Sequence, residues 1–171
     1  MAYKLFSPSE ARSHIKIDLS TQSINKTIEA LKMAEVELQS KCDEFCHRMA
    51  ELGAGWAQYE IHEYKAEDTL TLLNSIQIEP GDVIPNGASW IIYTDCPYAQ
   101  FVEYGTGPIG SMNPHPDGRG NYRSTPWTYF NPRYKKWVKT SGMESRPFMF
   151  NTWEYLQQDK IIREVAKEVF G

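Results

Sequence analysis

A chain of 171 residues that is 41% apolar, 23% charged and 13% aromatic has enough apolar surface for one sizeable core, which excludes a disordered or fibrous chain. A formal net charge of −4 argues against capture of nucleic acid through overall charge. The three cysteines are odd in number and no secretory hydrophobic region opens the sequence, so no disulfide framework is expected. No apolar run approaches the roughly 18 residues needed to span a bilayer, so a soluble chain without membrane contact is expected.

Met1 to Leu19 show little periodicity beyond the alternation Ile15, Ile17, Leu19, which reads as a short strand or an arm that needs another surface, or else as a mobile terminus. From Ser20 or Thr21, either a suitable N-cap, the pattern changes. Ile24, Ile28, Leu31, Leu38, Cys42, Phe45, Met49 and Leu52 recur at threes, fours and one seven, which predicts a long amphipathic helix over residues 20–52. At 1.5 Å per residue, about 33 residues extend roughly 50 Å, more than the width of a small domain, so part of the seam is expected to pack on something else. Gly53 and Gly55 are expected to end or kink this helix, and Trp56 to Tyr64 fits either helix or extended chain.

Thr69 to Asn74 reads as a helical turn and Ser75 to Glu79 as a strand turned at Pro80-Gly81. After Asn86-Gly87, the run Trp90, Ile91, Ile92, Tyr93 reads as a buried strand. Pro97 then opens a short helix through Ala99, Val102 and Tyr104, which Gly105 stops. Tyr104, Gly105, Gly107, Pro108 and Gly110 form a shaped loop, since the glycines permit positive φ or close backbone approach and the proline fixes one φ. Ser111 to Thr125 lacks periodicity. A hairpin follows, Trp127 to Phe130 and Tyr134 to Lys139 turned at Asn131-Pro132-Arg133, with aromatics facing each other across the strands. One last helix starts at Ser145-Arg146-Pro147 and runs through Val169. The expected architecture is α+β: an arm over residues 1–19, then a single domain over 20–171 with an antiparallel sheet, a long N-terminal amphipathic helix and a C-terminal helix.

The charges are segregated. Glu29 to Asp68 carries ten acids against four bases, a net of −6, whereas Gly105 to Thr140 carries Asp117 against six bases, a net of +5. Opposite lobes suit head-to-tail contacts between copies, although two differently solvated faces give the same pattern. The candidate interface is therefore Leu31, Leu38 and Phe45 on the seam, with Arg119, Arg123, Lys135 and Lys136 on the basic segment.

Chemical motifs are weak. The glycine loop lacks the preceding strand and following long helix of a phosphate-binding turn. Cys42 and Cys46 lie four apart on a helix, and Glu60, His62 and Glu63 have no metal-ligand spacing, so no metal or cofactor is expected. His115 and Asp117, with Glu103 near in sequence, suggest an acid/base cluster, and a small hydrolase or metal enzyme using them is one alternative. A nucleic-acid-binding module using the basic aromatic segment 119–139 is another.

The run YAQFVEYGTGPIG, followed by NPHPDG, WTYF and KKWVKTSGMESRPFM before a closing helix, resembles the small tail-component proteins of long-tailed phages, of the tail-completion or minor tail type. Its most specific stretches are Tyr98 to Gly107 and Gly142 to Met149. The resemblance implies a non-enzymatic virion protein at the head-tail junction, assembled in the host cytoplasm as a homo-oligomeric ring. Its partners would be the head-connector and tail proteins, and DNA would pass through without specific binding.

Overall fold

The computed structural model describes residues 20–66, 70–85, 87–120 and 122–171. The expected N-terminal arm lies outside them. The fold is α+β and its contacts divide at Ser40/Lys41 into two compact units.

In the first unit the described chain is the opening part of helix α1, Thr21–Glu63, which continues into the second unit. Ser20 acts as its N-cap: the Ser23 N–H donates to the Ser20 hydroxyl at 3.3 Å, which satisfies one of the first-turn amides. Ile24, Ile28, Leu31, Met33, Val36 and Leu38 are all exposed, Leu31 to 66% and Leu38 to 57%. Met33 and Val36 lie on the other side of the helix from Leu31 and Leu38, and among the described residues nothing buries the seam here.

In the second unit α1 runs straight through Gly53 and Gly55, against the expectation that they end or kink it, and Trp56 to Glu63 is helical. The reason is tertiary. Gly53 is buried where a Cβ would lie 2.4 Å from Ile92 Cδ1 and 2.8 Å from Leu156 Cδ1, so the helix passes close to a strand and a second helix there. That packing outweighs the roughly 1 kcal/mol intrinsic cost of a mid-helix glycine. Ala50, Gly53, Ala57 and Ile61 form the buried stripe.

A short helix α2 (Thr71–Asn74) leads into β1 (Ile76–Pro80), which pairs antiparallel with β2 (Trp90–Thr94), Ile78 opposite Ile92. β2 is not buried on both faces as its apolar run suggested. Ile91 is exposed, while Trp90 donates its indole N–H to Asp43 at 3.0 Å and lies against the His47 ring. Helices α3 (Ala99–Tyr104) and α4 (Gly107–Met112) follow. Strands β3 (Trp127–Asn131) and β4 (Lys136–Thr140) then form a second ladder, Phe130 opposite Trp137. Instead of one antiparallel sheet, there are two separate two-stranded ones, because each strand pairs only with its neighbour in sequence.

The expected last helix is two helices, α5 (Phe148–Leu156) and α6 (Asp159–Phe170). Gln158 is extended, with φ −66° and ψ 125°, and Asp159 opens α6 with an acid in its first turn. The core gathers Ala57 and Ile61 of α1, Leu72, Ile76, Cys96, Ala99 and Val102, and Phe148 of α5. All three cysteines are free thiols, and burial, followed by the neighbouring Cys42 and Asp43, pushes the Cys46 thiol above its ordinary pKa.

Candidate functional site

Helix α3 ends at Tyr104 because Gly105 takes φ 73° and ψ 175°, a region open essentially to glycine alone. A Cβ there would fall 2.6 Å from the Ser145 backbone nitrogen. Gly107 also has positive φ, and its missing Cβ leaves room for the Trp127 ring and the Ser141 carbonyl. Pro108 sits in the first turn of α4, where no amide is needed. Gly110 is buried beside Met143 and Tyr122.

The expected loop is thus a two-residue link, Gly105 and Thr106, between α3 and α4, with Gly107, Pro108 and Gly110 helical, and its close backbone approach lets it lock onto residues 141–146. Thr106 and Met143 exchange both backbone hydrogen bonds, at 2.8 and 3.1 Å, as an isolated antiparallel bridge. The Ile109 N–H donates to Ser141 O, the Arg146 N–H to Val102 O, and the Ser145 hydroxyl to Glu103 O at 2.6 Å. Tyr98 to Gly107 and Gly142 to Met149, far apart in sequence, are thus one hydrogen-bonded unit.

Glu103 lies at its centre. Pro147 at the N-cap of α5 has no side-chain acceptor, so the first-turn amides need one from elsewhere. The buried Glu103 carboxylate supplies it: Met149 N–H donates to Oε2 and Phe150 N–H to Oε1, each at 2.9 Å. A carboxylate also suits the positive end of the helix dipole.

The other side of Glu103 Oε1 meets His115 Nε2 at 3.1 Å, while His115 Nδ1 lies 2.5 Å from Asp117 Oδ1. The imidazole is only 3% exposed and is flanked by the Tyr104 and Phe150 rings. Tyr122 completes the enclosure: its hydroxyl accepts from the His115 N–H at 3.2 Å and donates to Tyr104 O at 2.9 Å. Desolvation pushes the Asp117 pKa up, but the Arg119 N–H, the His115 ring and the Arg119 guanidinium outweigh it and hold the carboxyl below its ordinary value.

The expected trio Glu103, His115 and Asp117 is therefore assembled, but as a cross-link. Both ring nitrogens face carboxylates and neither faces solvent, so the ring has no free position from which to take a substrate proton. Among the described residues, no group of three or more His, Cys, Asp or Glu side chains is arranged to hold a metal ion. Glu60, from the other weak cluster, accepts from Asn151 Nδ2 at 2.7 Å, while His62 and Glu63 are exposed. No helix among the described residues is long and apolar enough to cross a membrane.

The interface candidates are dispersed. Leu31 and Leu38 are exposed on the first unit, whereas Phe45 in the second is half-buried with its ring 6.2 Å from that of Phe170. Arg119 pairs with Asp117 at 3.4 Å and Arg123 lies over the Trp127 ring. Lys135 turns the hairpin at positive φ, and Lys136 lies over the Tyr134 ring. Sequence reasoning missed the amides that Glu103 caps, the Tyr122 hydroxyl and the Phe150 ring. It also missed a groove on α1 and α6. Only the near-spacing of Glu103 to the His115 loop gave any signal for the first of these.

No family model, no curated protein and no solved structure matches the chain.

Proposed function

We propose that this chain is a non-enzymatic structural subunit of a phage virion, working at the head-tail junction as a homo-oligomeric ring between head connector and tail. The observation that carries the reading is the joining of its two signature stretches. Tyr98 to Gly107 and Gly142 to Met149, on which the resemblance to small phage tail components rests, meet through the Thr106–Met143 bridge and the Glu103 clamp. A motif pair that forms one hydrogen-bonded scaffold supports a shared architecture more strongly than two unconnected matches would. The hydrolase alternative is weakened by the enclosure of His115, whose two nitrogens are already engaged.

Self-association is supported by the exposed seam from Ile24 to Leu38, since adjacent apolar side chains left in water on a helix mark a surface that gains by being covered. Sedimentation velocity and negative-stain microscopy of the purified chain test this. Ring-shaped oligomers are expected for the native chain. Leu38→Asp, at a residue 57% exposed and therefore harmless to the fold, is expected to dissociate them by placing a charge in the seam. A native chain that stays monomeric at every concentration, or a Leu38→Asp chain that assembles normally, refutes the proposal.

A further inference from the structure

Within the second unit, α1 and α6 enclose a groove of about 640 Å³. Residues 48, 51, 52, 55, 56 and 59 of α1 follow the spacing of one helical face, and residues 161, 164, 165 and 168 of α6 do the same. Trp56 forms the floor, stacked flat on Tyr155 at 4.0 Å, with Val165 beside it, and Glu51, Glu164 and Glu168 stand at the rim. The one cation that lines it, Arg48, is paired with Glu44 at 3.0 Å, and two of the rim acids have only long, exposed partners that a closer cation would displace, Glu51 with His47 at 3.8 Å and Glu164 with Lys160 at 4.0 Å. An apolar floor with an acidic rim fits an aromatic segment flanked by cations.

The β3–β4 hairpin has that chemistry. In its register Phe130 is opposite Trp137 and Thr128 opposite Lys139, and these four share one face. On the opposite face Trp127, Asn131, Val138 and Thr140 are half-buried, while Tyr129 and Lys136 are exposed. The Phe130 and Trp137 rings meet edge-on at 5.7 Å, yet Trp137 is 71% exposed and Phe130 48%. Arg133 and Lys135 at the turn and Lys139 on the face add positive charge.

We infer that the hairpin of one copy of this chain docks its Phe130–Trp137 face into the α1–α6 groove of a second copy, with Lys135 and Lys139 against Glu164 and Glu168. The contact joins two different surfaces, so each copy offers a hairpin to one neighbour and a groove to the other, the geometry that closes rings. Aromatic insertion supplies affinity, and the paired charges set register and encounter rate. The inference rests on the self-assembly proposed above and adds the surfaces that make it directional.

The test is sedimentation equilibrium of the full chain at low and high salt. Trp137→Ser, at an exposed position, is expected to weaken association at least tenfold at both salt concentrations. Lys135→Glu/Lys139→Glu is expected to weaken it chiefly at low salt, and adding Glu164→Lys/Glu168→Lys in the same chain to restore it to within threefold of native. Circular dichroism verifies that each variant is folded; should one fail to fold, Phe130→Ser or Glu168→Lys alone carries the same comparison. A native chain that assembles while the hairpin and groove variants assemble equally well overturns this inference and leaves the ring proposal standing. A native chain that is monomeric overturns both. Charge reversal in the hairpin that abolishes binding to a DNA duplex without changing assembly assigns the hairpin to nucleic acid and overturns the contact.

Discussion

Replacing Glu103 with Gln tests whether the carboxylate holds the site together. The substitution keeps the side-chain shape but removes the charge and turns one acceptor oxygen into a donor. In the native chain both oxygens accept: Oε1 from Phe150 N–H and facing His115 Nε2, Oε2 from Met149 N–H. A glutamine oxygen can serve only one of the two amides, and its NH2 group then points at the other. A hydrogen bond to a charged group contributes about 1.5–3 kcal/mol, and a buried donor left unsatisfied costs about 1–3 kcal/mol. Since Glu103 is 7% exposed, water offers little relief, and a loss of about 2–4 kcal/mol is expected. At about 2–4 °C per kcal/mol for a chain of this size, the melting temperature falls by roughly 5–15 °C. Urea titration followed by near-ultraviolet circular dichroism is the assay, because Tyr104, Tyr122 and Phe150 surround the cluster. A Glu103→Gln chain within about 0.5 kcal/mol of native would show that the clamp is incidental to stability.

Gly105→Ala is expected to cost at least about 2 kcal/mol, from the glycine-only φ and ψ and from the Cβ that would press on Ser145; a thermal melt unchanged within error contradicts this. Asp117, whose carboxyl is held below its ordinary pKa, binds fewer protons in the folded than in the unfolded chain near pH 4. Its stabilising contribution is therefore present above the ordinary carboxylate range and lost as pH falls through the depressed value. Melting temperature measured from pH 2 to 6 should accordingly show a shallower acid limb for Asp117→Asn than for the native chain, and superimposable limbs count against the assignment.

Local signals were readable and close-packing ones were not. The Ser20 cap, the seam from Ile24 and the hairpin all follow from patterns within a few residues. At the hairpin turn Asn131 Oδ1 accepts from the Arg133 and Tyr134 amides, the local bonding that makes such residues good turn formers. Gly53 misleads because a helix breaker in isolation is a spacer when Ile92 and Leu156 crowd against it. The break between α5 and α6 was hidden by apolar spacing that continues across it. At the site, His115 and Asp117 were legible as a pair. Their role was not, because it depends on a carboxylate capping a helix that starts 45 residues later in the chain.

The Thr106–Met143 bridge also fixes an order of events. Its two residues are 37 apart in sequence, and the Glu103 contacts to Met149 and Phe150 span 46 and 47 positions. Each must pay the entropy of closing a long loop before its hydrogen bonds return anything, whereas α1 and both hairpins assemble from near neighbours within microseconds. The helix and the two strand pairs are therefore expected to form first, each as a local piece. The clasp, with its 37- to 47-residue closures, and the docking of α5 on α1, whose Glu60–Asn151 bond spans 91 positions, follow those local pieces, so loop closure is expected to set the rate at which a newly made chain reaches its native fold.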